Sequence, residues 1–448
     1  MSAVIETGPA PRALRLPLVC GDDARSVVRR GAARAVSQRE FVAEVAALAA
    51  QLPSARHCVN LCTDRHRFLV SFCAVAVAGQ TNLLPSSRAP QAIAEVMRGH
   101  ADCYALADQP IDPAPPRLLL PDWHARVAAA ALPDIDAKHV VAIGFTSGST
   151  GQPKANAKTW GGFCASTALN AQLLCGERAP NIVATVPPQH MYGLELSVLL
   201  PLRSAASIHA GLPFFPADIA HALAEVPAPR VLVTTPVHLR ALLRESPDLP
   251  PLDTIVCATA PLDAELAQAA EARYGARLVE VFGSTETCVI AHRRTAADAP
   301  WQLYDGVTLQ PQPDGTLVEA PHFAGPTLLQ DVVEMLPARQ FVLRGRNSDL
   351  LEIAGKRASL GDLNRRLLAL SGVEDGVVFA LPADACGVAR LAALVVAPER
   401  SESQLMQELR QALDPVFLPR PLRRVAALPR NAAGKLPREA LLAALKEP

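Results

Sequence analysis

Short β-branched runs alternate with helical patterns through the middle of the chain, and this alternation constrains the fold most strongly. The strand candidates are residues 139–145, 182–186, 231–234, 254–258 and 278–282. Apolar residues recur at helical spacing at residues 38–52, 67–78, 95–98, 216–224, 237–244 and 264–274. Such alternation predicts an α/β domain with a largely parallel sheet. From about Phe341 the segments become shorter and richer in arginine, which predicts a smaller α+β domain.

Composition narrows the class of protein. The 448 residues carry 43 Lys and Arg against 43 Asp and Glu, so bulk electrostatic binding of nucleic acid is disfavoured. Half of the residues are apolar, which excludes global disorder. No apolar run reaches the roughly 18–20 residues of a membrane span, and the first residues lack the order of a secretory signal. We therefore expect a cytoplasmic protein with no membrane span and no nucleic-acid partner.

The most specific segment follows the first strand candidate. Residues 146–154 read Thr-Ser-Gly-Ser-Thr-Gly-Gln-Pro-Lys. The glycines permit backbone conformations in which several amides converge on one anion, and the hydroxyls add donors. The segment is not the nucleotide-binding P-loop, since Pro153 precedes the lysine and no Ser or Thr follows it. A flexible Gly/Ser linker would not explain the strand before it or the Pro-Lys end, so we predict a phosphate-binding loop.

These nine residues resemble the signature loop of the adenylate-forming superfamily, which includes acyl- and aryl-CoA synthetases, adenylation domains and luciferases. The resemblance recurs in chain order over residues 146–438. The matching segments are 187–193 and 258–262 beside the acyl pocket, the aromatic-Gly-x-Thr-Glu motif at 282–286, Asp331 at the ribose position, Gly345-Arg346 with Asp349 at the hinge, residues 355–357, and 431–436 around the catalytic lysine. The resemblance implies a large multi-layer N-terminal α/β domain and a small mobile α+β C-terminal domain.

The resemblance also implies roles for single residues. Lys435 would bridge the acyl carboxylate and the α-phosphate of ATP, Thr285 would donate to that phosphate, and Glu286 would hold Mg²⁺. The implied ATP-binding residues are Thr146, Ser147, Gly148, Ser149, Thr150, Gly151, Lys154, Phe282, Gly283, Ser284, Asp331 and Arg346. The implied substrate pocket comprises His190, Tyr192, Gly193, Thr259, Ala260 and Pro261. Taken singly, Lys435, Glu286 and Asp331 would be interpreted as ordinary surface residues, and His190 as a packed core histidine.

The resemblance extends to one branch of the superfamily and contains two departures, at Ser348 and at residues 361–364, which read Gly-Asp-Leu-Asn in place of a Glu-x-x-Glu-like helix start. Residues 258–262, 282–287 and 290–294 resemble ligases encoded with aryl polyene and xanthomonadin-type pigment pathways, which implies an aromatic acid such as a hydroxybenzoate or cinnamate. Ser348 replaces the first Asp of the hinge motif Gly-Arg-x-Asp-Asp. Because serine also tolerates two backbone states, we expect it to remain the pivot. The implied boundaries are residues 1–343 for the adenylation core, 344–349 for the hinge and 350–448 for the mobile domain.

The acceptor thiol stays open at this point. The superfamily uses coenzyme A or the phosphopantetheine of a carrier, and we expect no carrier domain in this chain because few residues follow Lys435. Between Arg410 and Arg438 seven basic residues stand against one acid, Asp414, which suits an acidic acyl carrier protein. The same residues could bind the phosphates of coenzyme A or form a solvated basic face. A non-catalytic acyl- or nucleotide-binding relative is the remaining alternative, to which only Ser348 points.

Overall fold

The chain is divided into two compact units. The computed structural model describes residues 14–32, 34–85, 87–127, 130–147, 153–312, 315–346, 350–353, 356–382, 390–431 and 434–446. The first unit contains the described residues up to Ala299, with Tyr304–Gly306 and Ala320–Ala324. The second unit contains Pro300–Leu303, Val307–Glu319 and the described residues from Gly325 onward.

The first unit holds most of the secondary structure. Its strands are β1 (Arg15–Pro17), β2 (Ser26–Arg29), β3 (Ala35–Ser37), β4 (His57–Asn60), β5 (Thr81–Leu84), β6 (Cys103–Leu106), β7 (Leu118–Leu119), β8 (Asp134–Asp136), β9 (Val140–Ser147), β10 (Pro153–Thr159), β11 (Asn181–Ala184), β12 (Ser207–His209), β13 (Arg230–Thr234), β14 (Thr254–Cys257), β15 (Arg277–Ser284) and β16 (Cys288–Arg293). Its α-helices are α1 (Gln38–Ala49), α2 (Arg65–Val77), α3 (Pro90–Arg98), α4 (Trp160–Leu174), α5 (Met191–Leu194), α6 (Leu200–Arg203), α7 (Pro216–Ala224), α8 (Pro236–Glu245) and α9 (Ala264–Tyr274). A π-helical turn, Glu195–Leu199, joins α5 to α6, and a 3₁₀ turn, Thr295–Ala297, follows β16.

Two sheets organise the first unit. One has the order β10-β9-β5-β4-β6-β7 and is parallel except for the antiparallel β9–β10 hairpin. The other has, within this unit, the order β16-β15-β14-β13-β11-β12-β2-β3. Its central strands are parallel, whereas β15–β16 and β2–β3 are antiparallel. These largely parallel sheets with intervening helices confirm the predicted α/β class.

Local sequence signals explain several helix bounds. Ser37 caps α1 through a capping box, and the Asp263 side chain caps α9 by accepting a backbone amide of its first turn. Gly275 ends α9 in the left-handed region, with φ +65°. Proline begins both α7 and α8, where its missing N–H costs nothing. The bounds of α7 and α9 therefore match the predicted ranges.

The main core of the first unit packs around α2, which is buried along most of its length. Arg65, at its N-terminus, is 1% exposed and donates to the carbonyls of Ala184 (2.9 Å) and Val186 (3.0 Å). This buried cation therefore fixes the end of β11, immediately before the predicted pocket segment 187–193. Of the helices that the structure describes, none is long and apolar enough to cross a membrane.

The second unit is the smaller and mixes short strands with three helices among its described residues. Its strands are β17 (Trp301–Leu303), β18 (Thr308–Gln312), β19 (Gly315–Glu319), β20 (Thr327–Leu329), β21 (Asp331–Leu336), β22 (Gln340–Arg346), β23 (Leu350–Ile353), β24 (Lys356–Ser359), β25 (Asp375–Ala380), β26 (Leu391–Val396) and β27 (Leu422–Arg424). Its α-helices are α10 (Leu360–Leu368), α11 (Glu402–Ala412) and α12 (Arg438–Ala444). The sheets are β21-β22-β17, β18-β19-β20, β23-β24 and β25-β26-β27. A core of α10 and α11 side chains packs against β25 and β26.

Two helical regions of the first unit were not predicted from the sequence. Helix α4 contains two glycines together with Ser166, Thr167 and Asn170, whose helix propensities are low. It forms because one face is buried, with Trp160 and Phe163 in the core. The helical stretch α5 to α6 is mostly apolar and shows no amphipathic period, since most of its residues are buried.

Candidate active site

The Phe282–Glu286 motif lies at the end of β15 and in the turn to β16, which we call the Thr285–Thr287 turn. A register shift between Phe282 and Gly283 bends the hairpin. A Cβ added at Gly283 would lie 2.0 Å from the carbonyl oxygen of Cys288, so only glycine fits there. Ser284 and Thr287 close the turn, because each backbone amide donates to the other residue's hydroxyl, at 3.0 and 3.2 Å.

This turn packs against β9, the strand that leads into the predicted phosphate loop. A Cβ added at Gly144 of β9 would lie 2.9 Å from Cγ2 of Thr285, so the two segments are in close contact. The Thr146 hydroxyl lies 3.4 Å from Oε1 of Glu286, to which it donates. The structure therefore brings together three predicted site residues that are separated by about 140 positions in the sequence.

The phosphate loop itself is anchored at both ends by the β9–β10 hairpin. Thr146 pairs in register with Lys154, and Ser147 with Pro153. The Lys154 side chain is exposed. The predicted residues Gly148, Ser149, Thr150 and Gly151 lie outside the described residues.

Two charged residues that the sequence analysis missed lie behind the turn. Lys158 of β10 donates from Nζ to the carbonyl oxygen of Glu286 at 2.5 Å. Glu195 of the π-helical turn is 2% exposed, and burial raises the pKa of its carboxyl to about 7. No sequence motif indicates Lys158 or Glu195. The one available sign is that Glu195 is a charged residue within a mostly apolar helical run.

The predicted substrate residues lie at the carboxyl ends of parallel strands. The Tyr192 hydroxyl lies 3.1 Å from the carbonyl oxygen of Thr234, at the end of β13, and 2.9 Å from that of Val256 in β14. Burial raises the pKa of this phenol well above its usual value, so it stays a hydrogen-bond donor. A Cβ at Gly193 would lie 2.0 Å from the Pro187 carbonyl oxygen, so this backbone approach also requires glycine. His190 is the residue immediately before α5, in an extended backbone conformation with φ −82° and ψ 143°.

The other half of the predicted pocket leaves β14 at the same edge. Thr259 has φ +82°, which is unusual for a β-branched residue. Backbone strain of this kind is concentrated at functional sites. Thr259 and Pro261 are exposed and Ala260 is half-buried, so this segment is accessible from solvent. Parallel α/β sheets bind ligands at this edge.

The second unit carries the predicted ribose-binding residues on one hairpin. Asp331 begins β21 and lies directly opposite Arg346 of β22 in the strand register. The Thr316 hydroxyl donates to the Asp331 carbonyl oxygen at 2.6 Å, which fixes the start of β21. The predicted hinge residue Ser348 lies outside the described residues.

Lys435 lies in a tight loop of the second unit. Its amide donates to Oδ1 of Asn431 (2.9 Å), and its carbonyl oxygen accepts from the Asn431 amide (2.8 Å). Arg430 donates to the Gly434 carbonyl oxygen (3.0 Å) and forms a two-pronged pair with Asp375 of β25, at 2.9 Å to each oxygen. The Arg430–Asp375 pair, also missed from the sequence, therefore fixes this loop to the sheet while the Lys435 side chain stays exposed.

The residues present suit a magnesium ion that is bound with ATP rather than a metal held by protein alone. Among the described residues, no group of three or more His, Cys, Asp or Glu side chains could hold a metal ion. Mg²⁺ is usually held by one or two carboxylates together with substrate phosphates. Glu286, beside the strand that enters the phosphate loop, supplies such a carboxylate. Bound there, Mg²⁺ would supply neutralisation of phosphate charge.

Comparison with known proteins identifies the class. Residues 21–309 match the model of the AMP-binding enzyme family, and the chain belongs to this family. It is 30% identical to a 4-coumarate–CoA ligase of Rhodobacter capsulatus over 300 residues, which cover 66% of this chain and 74% of that protein. It is 25% identical to a 3-hydroxybenzoate–CoA/4-hydroxybenzoate–CoA ligase of Thauera aromatica, over 65% of this chain and 64% of the relative. The protein is thus an enzyme of the AMP-forming acid–thiol ligase type, which activates a carboxylic acid with ATP.

Solved structures confirm the fold. ATP-bound MatB from Rhodopseudomonas palustris superposes with a TM-score of 0.81 at 20% identity, over 96% of this chain and 97% of that one. The o-succinylbenzoate coenzyme A synthetase MenE from Bacillus subtilis, in complex with ATP and magnesium ion, has a TM-score of 0.79 at 17% identity, over 93% and 96%. The adenylate-forming fold inferred from the motifs is therefore confirmed.

The first prediction concerns the stability cost of Glu195. Its pKa in the folded chain, about 7, exceeds the value of about 4.3 expected when unfolded. Protonation therefore favours the folded state, and this contribution is present below about pH 4 and is lost as the pH rises through 7. The Glu195→Gln variant has no group that titrates at this position, so it does not lose this stabilisation. The difference in free energy of unfolding between the variant and the wild type should therefore increase by on the order of 3 kcal/mol from pH 4 to pH 8, as measured by urea denaturation.

The exposed glutamate of α9, Glu265, provides the control. Glu265→Gln should give a difference from wild type that does not change with pH. A Glu195→Gln difference equally flat between pH 4 and pH 8 would contradict the raised pKa.

The second prediction concerns Lys435 and its support. Lys435→Ala should lower the rate of acyl-adenylate formation by about 100-fold or more, the usual effect of losing one electrostatic donor. Asp375→Asn should cause a smaller loss, because it loosens the loop but keeps the ammonium. Thioester formation from a supplied acyl-adenylate should fall much less, as measured in single-turnover reactions. Lys446→Ala, at an exposed lysine after α12, is the control; equal losses in both half-reactions would contradict the role.

Proposed function

We propose that the protein activates an aromatic carboxylic acid, such as a hydroxybenzoate or a cinnamate, as an acyl-adenylate and transfers the acyl group to the pantetheine thiol of an acyl carrier protein. The pathway that we propose is that of an aryl polyene or xanthomonadin-type pigment, because residues 258–262, 282–287 and 290–294 resemble the ligases of such pathways. The observation that carries the proposal is the contact of the Thr285–Thr287 turn with β9, because it joins an α-phosphate donor, a metal-binding carboxylate and the phosphate loop.

The first half-reaction brings two anions together. A carboxylate oxygen of the acid attacks the α-phosphorus, a new P–O bond forms, and the bond to the bridging oxygen breaks as pyrophosphate leaves. Negative charge develops on the phosphoryl oxygens, so fixed donors lower the barrier. We assign Thr285 and Lys435 to the α-phosphate, Glu286 to Mg²⁺, Lys154 and the loop to the departing phosphates, Phe282 to adenine, and Asp331 with Arg346 to the ribose.

The second half-reaction replaces AMP by a thiol. The thiol sulfur attacks the acyl carbon, the bond between that carbon and the phosphate oxygen breaks, and the thiol proton is released. We propose that residues 344–349 form the hinge between residues 1–343 and 350–448, with Ser348 as the pivot for this step. No cysteine of this chain takes part in the proposed thioester formation.

An aromatic acid is supported by the names of two relatives, a 4-coumarate ligase and a hydroxybenzoate ligase. The pocket we propose for it comprises His190, Tyr192, Gly193, Thr259, Ala260 and Pro261 at the sheet edge. Tyr192 contributes its ring, because its hydroxyl is used by the β13 and β14 carbonyls.

Carrier transfer is supported by basic side chains of the second unit. Arg410, Arg420, Arg424 and Arg438 are exposed. Arg430, by contrast, pairs with Asp375 and is unsuited to docking. The second candidate, a free aryl-CoA ligase, is favoured by the relatives, which are named CoA ligases.

The third prediction tests the acid. ATP–pyrophosphate exchange should be fastest with a benzoic or cinnamic acid when these are compared with fatty acids of matched carbon number. Exchange confined to fatty acids would contradict the aromatic substrate. If none of the acids supports exchange although the protein still binds ATP, the result would favour a non-catalytic relative.

The fourth prediction tests the acceptor. The kcat/KM for a phosphopantetheinylated acyl carrier protein should exceed that for coenzyme A. Arg410→Glu with Arg420→Glu should lower it by about tenfold, the lower end of electrostatic steering, and leave adenylation unchanged. Arg244→Glu, an exposed arginine of α8, is the matched charge reversal. Faster reaction with coenzyme A, unaffected by the variants, would identify a CoA ligase.

A further inference from the structure

A buried polar cluster lies behind the Thr285–Thr287 turn, and none of the roles assigned above uses it. The cluster contains Lys158 of β10, Ser166 of α4, Glu195 of the π-helical turn and Cys288 of β16. Ser166, Glu195 and Cys288 are all less than 5% exposed. Among the residues that the structure describes, none forms a hydrogen bond with Oε1 of Glu195. A buried carboxylate with incomplete bonding lowers stability, so its presence requires an explanation.

The cluster is attached to the turn at Glu286. Nζ of Lys158 donates to the Glu286 carbonyl oxygen at 2.5 Å. The positive charge of Lys158 also favours the ionised forms of the Glu195 carboxyl and of the Cys288 thiol. The Lys158 ammonium therefore holds the chain at Glu286, next to a buried carboxyl group.

A neutral side chain fixes the next carbonyl group of the turn. Nε2 of His322 donates to the Thr287 carbonyl oxygen at 3.0 Å. Burial lowers the pKa of His322 to about 4, so its imidazole is uncharged near neutral pH. Two consecutive carbonyl groups are thus held by side chains from distant parts of the chain. Such restraints determine the direction in which the Thr285 and Glu286 side chains point.

We propose that Lys158 is a positioning residue for ATP, because its ammonium fixes the turn through the Glu286 carbonyl oxygen. The inference rests on the proposed roles of Thr285 and Glu286. A lysine with a purely structural role would affect only stability, whereas a positioning residue also changes the use of ATP relative to the acid.

The test compares KM for ATP, KM for the acid and kcat in pyrophosphate exchange, with the affinity for ATP measured by calorimetry. Lys158→Met keeps the length of the side chain but loses the donor, and should raise the KM and Kd for ATP at least about fivefold with little change in the KM for the acid. Lys158→Arg keeps the charge and donors and should recover most of the affinity. Glu195→Gln leaves the Lys158 donor in place and should change the affinity for ATP less than Lys158→Met does.

The Tm distinguishes a positioning role from a purely structural one. A lower Tm of Lys158→Met without a change in ATP affinity would overturn the proposal. So would a loss of ATP affinity in Lys158→Met that Lys158→Arg does not recover. If Lys158→Met does not fold, Lys158→Gln decides the question by the same comparison.

Thr285→Val and Glu286→Gln separate this inference from the function on which it rests. If both leave ATP use intact, the proposed role of the turn fails. If both impair ATP use while Lys158→Met does not, the turn keeps its role and the positioning role of Lys158 alone is overturned.

Discussion

The candidate site of the first unit depends on a close approach of two backbones that side chains would prevent. Gly144 leaves room for Thr285, and Gly283 leaves room for the Cys288 carbonyl, which a Cβ would meet at 2.0 Å. Without these two glycines the turn after β15 could not lie against β9. The contact places Glu286 beside Thr146, where the chain enters the phosphate loop. The arrangement of the site therefore depends first on the space that these glycines leave, and only then on its charged side chains.

Adenylation also requires positive charge where two anions meet, and the lysines to which we assign roles lie in segments that are fixed by backbone contacts. Lys154 is exposed at the end of the loop hairpin, whereas Lys158 points its ammonium at a carbonyl group of the turn. In the second unit the loop of Lys435 is fixed by Asn431 and by the Arg430–Asp375 pair. In each case the support lies in groups that do not react, which reduces the entropy lost when ATP is bound.

The sequence alone predicts those elements of the structure whose signals lie within a short stretch of the chain. The strands β9, β11, β13, β14 and β15, and helices α7 and α9, follow from runs and caps that lie within one short window. The motif at 282–286 could be recognised because its residues are consecutive. Lys158, Glu195 and Arg430 could not, because their partners are up to about 130 residues away and the contact exists only after folding. Helix α4 was missed for a related reason, since burial overrides its low propensity.

Glu195 illustrates what such long-range contacts cost. A buried carboxylate whose pKa is raised to about 7 destabilises the folded state at neutral and alkaline pH. An apolar side chain of similar volume would pack in an otherwise apolar helical stretch without that cost. Local rules are broken in natural proteins chiefly at functional sites. Glu195 departs from the pattern of its own helix at a position close to Val289, in the strand that follows the Thr285–Thr287 turn, so the destabilising group lies next to the candidate ATP site.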